Sequence, residues 1–241
     1  TAAMDMNDPG AFISTPAADS QNALTSRSAN LVLSADGSAK GEVRIEFSGV
    51  DALERRLSAL DTDEAGRQKE LEEQVKEWLP VNAKVQMTAS TGWENENEGL
   101  VALFNVEIPE YASAAGKRLL VPAALFRLKA SRVLKNAPRK YPVYYHYAFT
   151  EADSVVLDLP AGYTAETVAA PQSARMDFAD FSSQAGSAGN RVNMERTLRV
   201  NGILFPPDRY QQVRDFFAKV QAADDSQSVL RQAAVQAEKA N

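Results

Sequence analysis

Apolar and polar residues alternate along most of this chain of 241 residues, in runs broken by short Gly, Pro and Asn turns. A period of two suits strands that have one buried and one wet face. The clearest run is Glu42-Val-Arg-Ile-Glu-Phe47, where Val43, Ile45 and Phe47 alternate with charge. Leu31-Val-Leu33 precedes it, and Asp36-Gly37 between them is a dipeptide that closes tight hairpins. From Lys84 the pattern returns, with Val85, Met87 and Ala89 in one strand and residues 100–108 in another. Residues 143–149, 154–159, 165–168, 175–181 and 192–200 read as further strands, and the apolar stretch 119–128 is interrupted by Pro122. Gly186-Ser-Ala-Gly189 with Asn190 reads as a hairpin turn.

Two intervals change to helical spacing. Leu53, Leu57 and Leu60 fall on one side, and Asp61-Thr-Asp-Glu64 then makes an acidic helix start. Leu71, Val75, Trp78 and Leu79 share the next face, Glu70, Glu72, Glu73, Lys76 and Glu77 make its solvated side, and Pro80 ends it. A third helix begins at Pro206-Pro207 and buries Tyr210, Val213, Phe217 and Val220. The pattern predicts an α+β fold, mainly antiparallel β in sandwich-like sheets, with two or three amphipathic helices. Residues 1–28 read as an extended lead-in, 29–225 as a β-rich domain with a possible subdivision near 135, and 226–241 as a frayed or independent helical tail.

Composition removes much chemistry. There is no cysteine, so neither a disulfide nor a thiol nucleophile exists. A serine triad would depend on the single histidine, His146, and no Gly-x-Ser-x-Gly elbow occurs; Gly37-Ser-Ala-Lys-Gly41 has the wrong spacing. His146 lies in Tyr144-Tyr-His-Tyr147 and reads as a residue on a strand face. Zinc sites combine several His and Cys ligands, and neither Asp177-Phe-Ala-Asp180 nor the acidic run 94–98 matches a calcium loop. Phosphate-binding glycine motifs are absent. No catalytic, metal or cofactor-binding residue is therefore assigned, and no cofactor is expected.

The net charge of −6 argues against a nucleic-acid partner. No run reaches the roughly 20 apolar residues of a membrane span. Charge is uneven, however. Residues 111–150 carry Lys117, Arg118, Arg127, Lys129, Arg132, Lys135, Arg139 and Lys140 with no acid, which leaves −14 for the remainder. This basic belt is a candidate docking surface for an acidic neighbour. Trp93, Tyr144, Tyr145 and Tyr147 are candidate aromatic contacts for a peptide or glycan.

Several short motifs follow one another in a fixed order. Asp8-Pro-Gly10 and Ser14-Thr-Pro16 precede Asp36-Gly37, Gly49 and Arg55-Arg56. Arg139-Lys-Tyr-Pro142, Leu159-Pro-Ala-Gly-Tyr163, Met194-Glu-Arg-Thr-Leu198, Tyr210 to Arg214 and Phe216-Phe217 come after. Over residues 8–230 this order resembles the region of unknown function downstream of the papain-like core in bacterial transglutaminase-like proteins. The family's Cys, His and Asp catalytic set would lie upstream, and no position here carries it. The resemblance implies a non-catalytic accessory module that packs on or orients that core, in a bacterial periplasmic or secreted setting. The core of the same polypeptide would be its partner. A free-standing binding module for a peptide, glycan or acidic surface component is the alternative. A third reading, a carboxylate-dependent hydrolase, requires two or more acids converging in a pocket.

Overall fold

Strand β1 (Ala2–Met4) pairs antiparallel with β2 (Phe12–Ser14) at the start of the computed structural model. The structure describes residues 2–4, 12–14, 19–130, 134 and 139–233, the first two stretches by backbone only. Asp8-Pro-Gly10 and Thr15-Pro16 lie outside the described residues. β3 (Ala23–Leu33) and β4 (Ala39–Gly49) form the expected hairpin around Asp36-Gly37. Inward Val43, Ile45 and Phe47 are buried while Arg44 and Glu46 face solvent. β3, however, starts within the expected lead-in.

Helix α1 (Val50–Ser58) follows, then α2 (Glu64–Trp78), whose first turn is capped by Asp63 accepting from the Gly66 amide at 2.8 Å. Leu71, Val75 and Leu79 are buried as expected. The leucine side is not: Leu53 and Leu57 of α1 and Leu60 in the turn after it are exposed, because Arg55 and Arg56 take the inner side. Arg55 lies 3.5 Å over the Phe47 ring, and Arg56 donates to the carbonyls of Gly92 and Glu98.

β5 (Lys84–Thr91) and β6 (Leu100–Ile108) come next, with a bulge between Met87 and Ala89 that turns Ala89 outward. β7 (Ser113–Ala115) and β8 (Arg118–Pro122) lead into a 3-10 turn (Leu125–Arg127). β9 (Val143–Tyr144) is only a stub of the expected strand 143–149, and β10 (Phe149–Asp158) starts afresh. β11 (Tyr163–Thr167) precedes β12 (Gln172–Met176) and β13 (Ala179–Ala188). The expected strand 175–181 is thus a hairpin whose turn buries Phe178. β14 (Arg191–Val200), β15 (Leu204–Phe205), α3 (Tyr210–Asp224) and β16 (Gln227–Gln232) complete the chain. β16 stands where a helical tail was expected, and residues 234–241 of that tail lie outside the described residues.

The main sheet has eight strands in the order β12-β13-β14-β10-β3-β4-β6-β5, antiparallel except where β3 runs parallel to β10. A second sheet, β11-β16-β8-β7, shares one core with α2 and the inner face of β3 to β6. A separate apolar cluster joins α3 to β13, β14 and the β9–β15 ribbon. The fold is therefore α+β with mainly antiparallel sheets, as the alternation predicts. Among the described residues, no helix is long and apolar enough to cross a membrane.

Candidate functional site: a polar cleft over a buried ion-pair seam

Strand register sets Arg27, Asp153 and Arg196 side by side across β3, β10 and β14. All three are buried, in the strip between the two apolar clusters. Arg27 grips Asp153 with two bonds, Nε to Oδ1 at 2.6 Å and Nη2 to Oδ2 at 3.1 Å. Arg196 grips Asp224, at the end of α3, in the same way at 2.6 and 3.1 Å. Glu151, on the same face of β10, lies 3.1 Å from Arg196 and 3.4 Å from Arg27. Arg127 closes the ring more loosely, 3.8 Å from Glu151 and 3.7 Å from Asp224.

Three guanidiniums thus meet three carboxylates, and the seam is neutral. Arg27 also lies over the rings of Trp78 and Phe126, at 4.8 and 5.2 Å. Burial opposes the charge on Glu151, but Arg27, Arg196 and Arg127 together hold its carboxyl below the ordinary glutamate range. Burial likewise opposes the charge on Arg196; Asp224 outweighs it, with Glu151 and Asp153 adding to the effect, and the guanidinium is held more firmly protonated than usual. Asp153, the deepest acid, is pushed up by burial despite its two arginines.

Beside this seam opens a cleft of ≈ 360 Å³ lined by Arg27, Glu151 and Trp78 together with Thr25, Asp51, Glu54 and Tyr147. Asp51 and Glu54 come from successive turns of α1. The Tyr147 hydroxyl lies 2.7 Å from Asp51 Oδ1 and 2.9 Å from Glu54 Oε2, and the Thr25 hydroxyl donates to Asp51 Oδ2. A phenol has one hydrogen, so it serves one of the two carboxylates at a time. Burial first, then the bonds and charges of Asp51 and Glu54, push the Tyr147 phenol well above its ordinary value.

The direction of α1, and so the place of both acids, depends on Gly49. Its φ of +57° and ψ of −127° suit glycine alone, and an added Cβ would stand 1.8 Å from the Asn22 carbonyl oxygen. Gly49→Ala is expected to cost at least about 1–3 kcal/mol, read as a lowered urea midpoint. An unchanged midpoint would show that the strand-to-helix junction tolerates a side chain.

The structure divides the basic belt among separate partners. Arg118 makes a bidentate pair with Glu166 at 2.5 and 2.7 Å, and Arg127 belongs to the seam. Lys129 donates to the Lys76 carbonyl near the end of α2, and Arg139 lies 5.6 Å over the Tyr210 ring. Lys117 and Lys140 are exposed; Arg132 and Lys135 lie outside the described residues. The aromatic set is also divided. Tyr145 points inward to Phe149, Phe205 and Phe217, and Tyr147 belongs to the cleft. Trp93 is half-buried, donates to Ser90 and lies under Arg67. Tyr144 alone of the four points outward, against His146, which is exposed in a bend rather than on a strand face.

Arg27, Glu151, Asp153, Asp224, Asp51 and Glu54 were not singled out by the sequence reading. The one signal that could have marked the seam was Arg196 in Met194-Glu-Arg-Thr-Leu198, where an arginine falls at an inward position of an alternating strand.

No curated protein sequence matches the chain. A solved structure described as a candidate protease from Parabacteroides distasonis ATCC 8503 is similar at a TM-score of 0.41 and 18% identity. That similarity covers 49% of this chain and 24% of the other, so the chain spans well under two thirds of it. Residues 117–230 match the model of DUF3858, a domain of unknown function. The matched segment carries Arg127, Glu151, Asp153, Arg196 and Asp224 of the seam, whereas Arg27 and both cleft acids of α1 lie before it.

Proposed function

We propose that this chain is a non-catalytic accessory module of a bacterial transglutaminase-like protein, acting in a periplasmic or secreted setting, which packs on a catalytic core and orients it. The observation that carries the reading is the outer side of the β9–β15 ribbon. Tyr144 and Leu204 are cross-strand partners and are 60% and 59% exposed, and Tyr141 and Ile203, near the ribbon in sequence, are 81% and 40% exposed. Apolar side chains gathered in this way mark a surface that another protein covers. The inner side of the ribbon is anchored by Val143 and Phe205, so the surface is presented rigidly. The partner in this reading, a core encoded upstream, rests on the order of motifs that resembles transglutaminase-like proteins.

The cleft does bring Asp51, Glu54 and Glu151 together, which is the mark set above for a hydrolase. Their arrangement favours binding instead. Asp51 and Glu54 share one hydroxyl on one wall, rather than facing each other across a scissile bond. Glu151 is held ionised by three arginines and is unsuited to donate a proton.

The test starts with the native product in source cells. It is expected to be far larger than 26.2 kDa, with tryptic peptides upstream that include a cysteine and a histidine. In that product, Tyr144→Ser with Leu204→Ser is expected to leave the module folded and to speed proteolytic separation of the two parts. A native product near 26.2 kDa would overturn the reading, and unchanged proteolysis would remove the ribbon from it.

A further inference from the structure

The outer face of the main sheet, turned away from both apolar clusters, carries a shallow basin at its β12 end. Strand register sets Arg175, Asp180 and Arg199 in one row across β12, β13 and β14. Ser173, Ser182 and Thr197 form the next row on the same face, two residues along each strand. These six side chains line a space of ≈ 490 Å³, within the range of small-molecule sites.

Arg199 is the residue the fold leaves unanswered. Its Nε is shut off from solvent without a hydrogen-bond partner, and among the described residues its guanidinium makes no ion pair or ring contact. Arg55, Arg67 and Arg127 also have an unbonded Nε, but each has another occupation. Arg55 and Arg67 lie over rings, and Arg127 stands between Glu151 and Asp224. Both cross-strand neighbours of Arg199 are already engaged. Asp180 accepts from Arg175 Nε at 2.5 Å, and the Thr150 hydroxyl donates to the Ser20 carbonyl at 3.0 Å. The hydroxyls of Ser173, Ser182 and Thr197 have no hydrogen bond to another described residue.

A guanidinium offers a fork of donors and no acceptor, so an anion is what completes it. Two guanidiniums against one carboxylate leave the basin at +1, on a chain whose net charge is −6. The fork pairs bidentately with phosphate, and a phosphate then has oxygens left for the hydroxyls of Ser182 and Thr197. A carboxylate spends both of its oxygens on the fork. Arg175 is 87% exposed, and an ion pair so exposed is weak, so this side chain is free to turn from Asp180 to the ligand.

We propose that the basin binds a phosphate group, anchored by Arg199, with Ser182 and Thr197 as further donors and Arg175 closing over it. Free phosphate and the phosphomonoester of a sugar share this chemistry. The inference stands apart from the accessory reading, since it concerns the outer face of β12 to β14 rather than the β9–β15 ribbon.

Titration calorimetry on the 241-residue chain tests it with inorganic phosphate, glucose 6-phosphate and acetate at constant ionic strength. At least one phosphate probe is expected to bind, and more tightly than acetate. Arg199→Gln is expected to weaken that binding at least about tenfold, the size of one lost charge-assisted bond. Asp180→Asn removes the opposing carboxylate and releases Arg175, so it should tighten binding by about threefold or more. A gain of affinity is not what mere structural damage produces, and this variant keeps the test valid if Arg199→Gln misfolds. Arg44→Gln removes an exposed arginine paired with Glu46 elsewhere on the same face and should leave binding unchanged. Tighter glucose 6-phosphate assigns the site to a sugar phosphate, and tighter inorganic phosphate assigns it to the free anion. Absence of binding by both phosphate probes would overturn the proposal, as would acetate binding as tightly as they do. So would equal weakening by Arg199→Gln and Arg44→Gln, or a loss of affinity in a folded Asp180→Asn chain.

Discussion

Arg27→Met is expected to destabilise the chain by about 3–5 kcal/mol, because it leaves a buried carboxylate without its cation. Asp153 would keep only Arg196, at 3.6 Å and already engaged with Asp224, and the neutral seam would become a buried negative charge. For a chain of this size the loss corresponds to a fall in Tm on the order of 10 °C. Adding Asp153→Leu restores neutrality, with Arg127, Arg196, Glu151 and Asp224 remaining, so the double variant should be more stable than Arg27→Met alone. An equal or lower Tm for the double variant would show that the seam acts through packing rather than charge.

The deficit of Arg27→Met should also depend on pH. In the parent, the Glu151 carboxyl is held below its ordinary range, so its contribution is present above the unfolded glutamate pKa and is lost as pH falls through the lower folded value. Asp153, raised in the folded state, works in the opposite sense and makes the native form the readier proton acceptor. With Arg27 gone, one proton taken up by either acid cancels the excess charge. The gap between parent and variant, measured by urea unfolding, should therefore be smaller at pH 5 than at pH 7.

Ending the chain at Ser226 is expected to have a second large effect, at least as large as the roughly 2–5 kcal/mol of a buried Leu→Ala change. The residues removed include β16, which sits between β11 and β8. Without it β11 has no partner, β8 keeps only β7, and the fully buried Leu230 is lost from the larger core. The Ser228 hydroxyl, which accepts from the Ala169 amide at 3.0 Å, would go too. Amide exchange at Leu119 and Val121 should approach unprotected rates in the shortened chain. Native-like protection there would mean that the second sheet holds without its central strand.

Both predictions rest on segments that alternation alone could not place. Residues 23–28 read Ala-Leu-Thr-Ser-Arg-Ser, which shows no apolar period. The period is present, but its inward positions are Ala23, Thr25 and Arg27, so the row holds a small, a polar and a charged residue. A buried arginine satisfied by an acid 126 residues away leaves no local trace. β16 fails for a related reason: only Ser228 and Leu230 face inward within a stretch rich in Gln and Ala.

Where inward positions are Val, Ile and Phe, as in β4 and β6, the strands fall where the pattern puts them. The leucines of α1 show the converse. Their spacing correctly marks a helix, but spacing does not say which side meets the sheet, and two arginines occupy that side. The acids of the cleft converge from α1 and β10 only through the turn at Gly49 and the parallel pairing of β3 with β10. No spacing along the chain encodes that meeting.

The pairing of β3 with β10 has a consequence for how the protein is made. When β3 and β4 leave the ribosome they can zip together at once, since their hairpin is local. The other side of β3 must wait until β10 has been synthesised. During that interval β3 presents an open edge, and Arg27 has no Asp153 to meet. Long-range closure of this kind slows folding, and the delay is longest for the residue whose missing partner costs most. Production in cells should therefore benefit from slower synthesis or from chaperones that shield strand edges. The gain would appear as soluble yield, with no change in the final stability of the purified chain.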